Sequence, residues 1–308
     1  MDLKDKKILI TGANGFVGVN LLNKLEKYHK NIYAVIEPKT DIEAVKNIKY
    51  EYIDITDQKN LESYIKKAEP DIVIHLAAYI NKDMSESNLV KSTKINVGGT
   101  LNILEAVSGV SKKTLFLFVS TGEVYGPLKQ VSFKETARCR PLSVYSITKF
   151  SAEDACLRYH KEFGFPVIIV RPSVIYGPHQ KEGMFVPEII TSLLKNKSFD
   201  MTEGSQKRDF IYIEHFIDGM TGLINKETSG IFNVSANKAY TVKDTALMIK
   251  KLTGSTAGLN MGALKYRENE IWNYRLDNSK LKKETGFSPV YSIEQGFSET
   301  IKWYREKL

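Results

Sequence analysis

The chain has 308 residues, 42% apolar and 26% charged, the make-up of a folded globular protein, which excludes a disordered or fibrous one. Its 44 basic residues outnumber 36 acidic ones, for a formal charge of +8, but the lysines are scattered in ones and twos. A nucleic-acid partner would leave a clustered basic stripe with interleaved aromatics, so none is expected.

The first residues run directly into an apolar strand, with neither a signal-peptide pattern nor an apolar run of about eighteen residues anywhere, so no membrane association is expected. Cys139 and Cys156 have no metal-ligand spacing and no framework to staple. That suits a reducing compartment, and the expected location is the cytoplasm.

Ile8-Leu-Ile-Thr11 reads as a buried strand leading into Gly12-Ala-Asn14-Gly15-Phe16-Val17-Gly18 and a helix carrying Leu21, Leu22 and Leu25. Strand, glycine loop and helix in that order let backbone turn tightly and offer helix N-terminal N–H groups to a pyrophosphate. The spacing therefore assigns Gly12, Asn14, Gly15, Phe16, Val17 and Gly18 to a dinucleotide. A second strand, Ile32–Ile36, ends at Glu37, nineteen residues past Gly18, where a ribose-binding acid belongs. A carboxylate there favours NAD over NADP, although Lys39 softens the preference.

Tyr50 to Ile53 is expected to be a third strand, ending at Asp54 for the adenine amino group with Ile55 against the ring. Asp71 to Ala78 forms a fourth, ending in Leu76, Ala77 and Ala78, small enough at its last two positions for backbone to pass close to a cofactor. His75 within it is read as structural rather than catalytic. A helix over about 88–107 carries Asn96 and Gly98-Gly99, and a fifth strand, Leu115–Val119, delivers Ser120 and Thr121 to its carboxyl end. Strands alternating with helices imply a parallel sheet, with ligands outside the carboxyl ends of its strands.

Tyr145 and Lys149 are four residues apart, so on a helix they share a face, about 6 Å apart at Cβ. An ammonium there should favour the tyrosinate of a side chain whose ordinary pKa is about 10. The pair is read as moving a proton while a bound nicotinamide moves a hydride.

In order and spacing, Gly12-x-x-Gly15-x-x-Gly18, His75-Leu-Ala-Ala78, Asn96-Val-Gly-Gly-Thr100, Ser120-Thr-x-x-Val-Tyr-Gly126, Tyr145-x-x-x-Lys149, Arg171-Pro-x-x-Val-Ile-Tyr-Gly-Pro178, Arg208-Asp-Phe-Ile-Tyr-Ile213 and Asp277-Asn-Ser-Lys280 resemble the extended short-chain dehydrogenase/reductases that act on nucleotide sugars. This is the NAD-dependent epimerase/dehydratase family, and the resemblance covers nearly the whole chain. It implies an α/β fold, a Rossmann-type doubly wound parallel sheet over 1–172 with 215–235 returning to it. A smaller mixed α/β lobe of 173–214 and 236–308 would bind the nucleotide sugar.

The resemblance further implies that Tyr145 is the acid/base at the sugar C4 oxygen, that Lys149 holds the nicotinamide ribose, and that Thr121 holds the reacting hydroxyl. Asn96, Ser120 and Arg171 join the cofactor set, and Gly122, Tyr176, Val186, Arg208 and Arg267 the substrate set. Arg208 and Arg267, two of only eight arginines, would grip a diphosphate bidentately. No metal is expected.

Oxidation at C4 gives a 4-keto sugar, after which a 4-epimerase, a 4,6-dehydratase and a 4-keto-6-deoxy sugar reductase diverge. Gly122 stands where glucose dehydratases of the family carry an acidic residue, while Glu123 remains as a C5 base, so these residues match no outcome cleanly. Dimers through helices near 88–107 and 143–163 are also implied. A non-catalytic NAD sensor or nucleic-acid binder on the same fold is the alternative class, and intact Thr121, Tyr145 and Lys149 argue against it.

Overall fold

Buried runs of branched and aromatic side chains make the central strands, and the computed structural model describes residues 3–26, 31–38, 40, 45, 48–81, 85–110, 113–127 and 132–308. Lys39 lies outside them. In chain order come β1 (Ile8–Thr11), α1 (Phe16–Glu26), β2 (Ile32–Ile36), β3 (Lys49–Tyr52), α2 (Gln58–Ala68), β4 (Ile72–His75), α3 (Glu86–Ser92), α4 (Gly99–Ser108), β5 (Leu115–Val119), α5 (Val144–Phe163) and β6 (Val167–Pro172). There follow β7 (Val174–Tyr176), α6 (Phe185–Leu194), β8 (Phe199–Met201), β9 (Lys207–Tyr212), α7 (Ile213–Asn225), β10 (Gly230–Val234), β11 (Ala239–Thr241), α8 (Val242–Thr253), β12 (Leu259–Met261), β13 (Asn273–Tyr274), α9 (Ser279–Thr285) and α10 (Ile293–Lys307).

Two compact units divide the chain. The first comprises Met1–Val124, Cys139–Arg171 and Met220–Phe232, the second Tyr125–Arg138, Pro172–Gly219 and Asn233–Leu308. The segment Tyr125–Arg138, expected with the first part of the chain, groups with the second unit.

The large sheet has seven strands in the order β10-β6-β5-β4-β1-β2-β3. From β6 to β3 every pairing is parallel, as a sheet built by helical crossovers must be. The order reverses beside β1, the place where open α/β sheets bind ligands. Leu9, Val73, Phe116 and Ile169 of this sheet share one core with Leu61 of α2 and Ile103 of α4.

The helix expected over 88–107 is interrupted. Between α3 and α4, Thr93–Gly98 is a π-helix, an arrangement that often marks a functional position. Gly99, just after it, has a packing reason. A Cβ there would lie 2.5 Å from Ile55 Cδ1, so only glycine lets this helix approach so closely.

The second unit holds a small mixed sheet centred on β9, antiparallel to β11 and parallel to β7 and β13, with β8 and β12 paired separately. Its helix starts follow the sequence. Thr241 Oγ1 accepts from Asp244 N–H at the start of α8, and Ser292 with Gln295 forms a complete capping box at α10.

Candidate active site

The glycine loop is fixed by what surrounds it. Gly12 adopts φ +67°, and a Cβ there would meet Ala77 N at 2.6 Å; one at Gly18 would meet the Gly12 carbonyl oxygen at 2.5 Å. Gly12 thus lets the loop pass against the turn after β4, and Gly18 lets α1 close on the loop. Gly15 is exposed, accompanied only by the Gly12 oxygen at 3.2 Å. Its side of the loop is a backbone cradle that a Cβ would fill, at the N-terminus of α1.

At the end of β5, Ser120 is 2% exposed, yet its Oγ has no hydrogen-bond partner among the described residues. A buried orphan hydroxyl costs about 1–3 kcal/mol, so one aimed at a ligand group is the economical arrangement. The glycine cradle and Ser120 together fit a dinucleotide, with Asn14, Phe16 and Val17 partly buried around the loop.

Glu37 stands exposed at the end of β2, its carbonyl accepting from Thr40 Oγ1 at 3.0 Å. Asp54 is exposed and closes a local turn, accepting the Thr56 N–H at 2.8 Å. Ile55 differs from expectation. It is 7% exposed and packs on Gly99 within the core, so its face is not open to an adenine ring.

Thr121, Gly122, Glu123, Tyr145 and Lys149 all belong to the first unit. A short 3₁₀ turn, Gly122–Tyr125, carries Glu123 outward, with its N–H donated to Thr121 Oγ1 at 3.2 Å. Ser143 caps α5 through a reciprocal box with Ser146, and its Oγ also donates to Glu123 Oε2 at 3.4 Å. The cap therefore ties the carboxylate to the first turn of the helix that bears Tyr145. Sequence reasoning missed Ser143, because the usual box has Glu or Gln at its third helical position and here a serine closes it.

The charge balance at the pair reverses the expected tuning. Tyr145 is half-buried, and desolvation, reinforced by the Glu123 carboxylate, raises its pKa above the ordinary phenol value. Lys149 is 1% exposed, and burial lowers its pKa to about 7, against a smaller opposite pull from Cys156 and Glu153. Its Nζ lies 4.0 Å from the centroid of the Phe118 ring.

Other expected contacts serve as struts. Asn96 accepts the Tyr79 N–H at 2.7 Å and donates to the Tyr79 carbonyl and to Thr148 Oγ1, both at 3.0 Å. Its amide thus pins the turn after β4 to α5. Arg171 binds Glu153, with Nε to Oε1 at 3.0 Å and Nη2 to Oε2 at 2.6 Å, both side chains at most 3% exposed. This arginine is engaged in a buried pair through Nε and Nη2, and Glu153, one turn past Lys149, went unnoticed in the sequence.

In the second unit the expected substrate residues divide. Tyr176 is 1% exposed, donates to the Ile293 carbonyl at 3.2 Å and lies 4.3 Å from the Phe297 ring. Val186 is 3% exposed within α6. Both are core residues, and their positions leave them no face for a substrate. Arg208 is partly exposed, pairs with Glu270 and donates to the Ile271 carbonyl, whereas Arg267 is exposed in the segment before β13.

A model of the NAD dependent epimerase/dehydratase family matches residues 8–235. The dTDP-glucose 4,6-dehydratase of Haemophilus influenzae is 29% identical over 328 residues, covering 96% of this chain and 97% of that one. A trifunctional UDP-glucose 4,6-dehydratase/UDP-4-keto-6-deoxy-D-glucose 3,5-epimerase/UDP-4-keto-L-rhamnose-reductase of Arabidopsis thaliana is 30% identical over 321 residues, covering 98% of this chain, which spans only 48% of that relative's length. The solved UDP-glucuronic acid 4-epimerase of Bacillus cereus, in complex with UDP-glucuronic acid and NAD, is similar with a TM-score of 0.88 at 28% identity, covering 98% of this chain and 99% of that one. With a match over most of its length and a glycine cradle that fits the cofactor, the chain belongs to the NAD dependent epimerase/dehydratase family and is an NAD-dependent enzyme.

Proposed function

We propose that the chain acts at C4 of a nucleoside-diphosphate sugar and passes through a 4-keto sugar, with a 4-epimerase or 4,6-dehydratase outcome. The observation that carries this reading is the electrostatic coupling of Tyr145 to Glu123, whose N–H bonds the Thr121 hydroxyl after β5, with the buried Lys149 one turn further along the helix that bears Tyr145. Relatives named for dTDP-glucose and UDP-glucuronic acid support the substrate class. NAD, when bound, supplies the acceptor for the C4 hydride. Thr121 would hold the C4 hydroxyl and Tyr145, in its ionised form, would take its proton, positioned general-base work that contributes about 10²–10⁴-fold. Gly12, Gly15, Gly18 and Ser120 are the proposed cofactor contacts, with Glu37 and Asp54 on its adenosine end. Arg208 and Arg267 are proposed for the diphosphate.

Glu123 is the group that favours elimination. A carboxylate electrostatically coupled to Tyr145 offers a second base for the C5 proton, while Gly122 supplies no acid for the departing C6 hydroxyl. Running dTDP- and UDP-hexoses in heavy water decides the outcome. Deuterium at C5 of a 4-keto-6-deoxy product is expected for elimination, and inversion at C4 without it for epimerisation. Stoichiometric consumption of added NADH with no 4-keto product would overturn both in favour of a reductase.

We further propose a homodimer through α3, α4 and α5. Leu89, Val90 and Leu101 are exposed on the first two helices, and Ile147, Phe150 and Leu157 on the third at helical spacing, an apolar stripe of the kind a partner covers. Light scattering should show a dimer that Phe150→Glu converts to monomer; an unchanged mass for the variant would remove this surface from the interface. Neither cysteine is in a disulfide, which suits the cytoplasm, and no described helix is long and apolar enough to cross a membrane.

A further inference from the structure

His75 is fully buried at the end of β4, between hydroxyls of two other elements and against the Phe116 and Phe118 rings, whose centroids lie 6.2 and 5.6 Å away. Thr11 Oγ1 is 2.6 Å from its Nδ1, and Thr100 Oγ1 is 2.9 Å from its Nε2. The neighbouring bonds settle which atom carries each proton. Thr100 Oγ1 lies 2.6 Å from the Asn96 carbonyl, which can only accept, so the one hydroxyl proton of Thr100 goes there. The imidazole must then donate from Nε2. Burial and the nearby charge of Lys149 hold the ring neutral, which leaves Nδ1 to accept from Thr11. Thr11, its proton committed, accepts the Ala77 N–H at a long 3.4 Å.

The result is a directed chain from Ala77 N–H through Thr11, His75 and Thr100 to the Asn96 carbonyl. One end lies at the turn that touches Gly12. At the other, the Asn96 side chain holds Tyr79 and Thr148, and Thr148 Oγ1 donates to the Tyr145 carbonyl at 3.0 Å. Each donor in such a chain has a single acceptor, so no member can turn without leaving a buried group unpaired.

We infer that His75, as the Nε2–H imidazole, is a positioning residue that locks the Gly12–Ala77 cofactor turn to the α5 turn carrying Tyr145, through Thr11, Thr100 and Asn96. This rests on the functional reading above only where it concerns NAD. The test compares His75→Leu, which breaks both bonds, with His75→Gln, which retains an acceptor and a donor. NAD affinity is read by calorimetry, and amide exchange at Ala77, Tyr79 and Tyr145 by NMR.

His75→Leu should weaken NAD binding about tenfold and speed exchange at Ala77 and Tyr79, leaving β9 amides unchanged, and His75→Gln should restore most of both. Exchange and affinity in His75→Leu within about twofold of wild type overturn the inference. Equal impairment in Leu and Gln variants also overturns it, by assigning His75 to packing alone. If His75→Leu does not fold, Thr100→Val carries the test, with faster exchange at Tyr79 expected and unchanged exchange overturning. A wild-type protein that takes no NAD would sink the functional reading, and the exchange comparison would still decide this one.

Discussion

Lys149 in the first unit and Arg208 in the second are both cations at positions expected to serve the reaction, yet they are held in opposite ways. Lys149 lies under the Phe118 ring at 1% exposure with its pKa drawn down to about 7. Arg208 is partly exposed and paired with the Glu270 carboxylate. Burial perturbs the first cation and pairing satisfies the second, and perturbed groups gather at functional sites. A paired cation is at rest, and offers a second partner only the guanidinium edge its first partner leaves open. The first unit therefore holds its candidate cation by desolvation, and the second holds its own by pairing it with a neighbouring carboxylate.

The largest effect that would break this comparison is on turnover. Tyr145→Phe should lower kcat by about 10³-fold while calorimetry shows NAD binding unchanged, and a rate near wild type would remove Tyr145 from the mechanism. Tyr176→Ala in the second unit should instead cost roughly 3–5 kcal/mol of stability in denaturant unfolding. Arg267→Ala should raise KM about tenfold with unchanged melting. If Tyr176→Ala raised KM selectively in a stable protein, the core assignment would be wrong.

Lys149→Met should abolish turnover yet raise stability at neutral pH, by roughly 2–4 kcal/mol after crediting the contact with Phe118. The sign follows from proton counts. Between the folded pKa of about 7 and the ordinary 10.5, the unfolded chain keeps the lysine proton and the folded one does not, so wild-type stability should rise across that range. The variant should lose that rise, and unfolding curves at pH 7 and 9 test it.

Much of the first unit was legible because its signals are local. Glycine spacing, a strand ending in hydroxyls and a tyrosine four residues before a lysine are consequences of backbone periodicity, and the seven-stranded sheet follows from strand and helix alternation. The π-helix at Thr93–Gly98 was not legible, since π and α turns use the same side chains and differ in which carbonyl each N–H meets. Nor was the fate of Tyr176 and Val186, because an apolar or aromatic residue in a motif reads alike whether it lines a site or fills a core.

By itself, then, the sequence determined the order of elements, the glycine loop and the four side chains proposed to react, all read from neighbours within a few residues. Only the tertiary structure decided the states of those side chains. Tyr145 is raised and Lys149 lowered by burial, Arg171 is claimed by Glu153, and His75 is given its tautomer by hydroxyls 64 residues before it and 25 after. Desolvation and hydrogen-bond direction depend on what distant segments bring into contact, and no spacing along one chain encodes them.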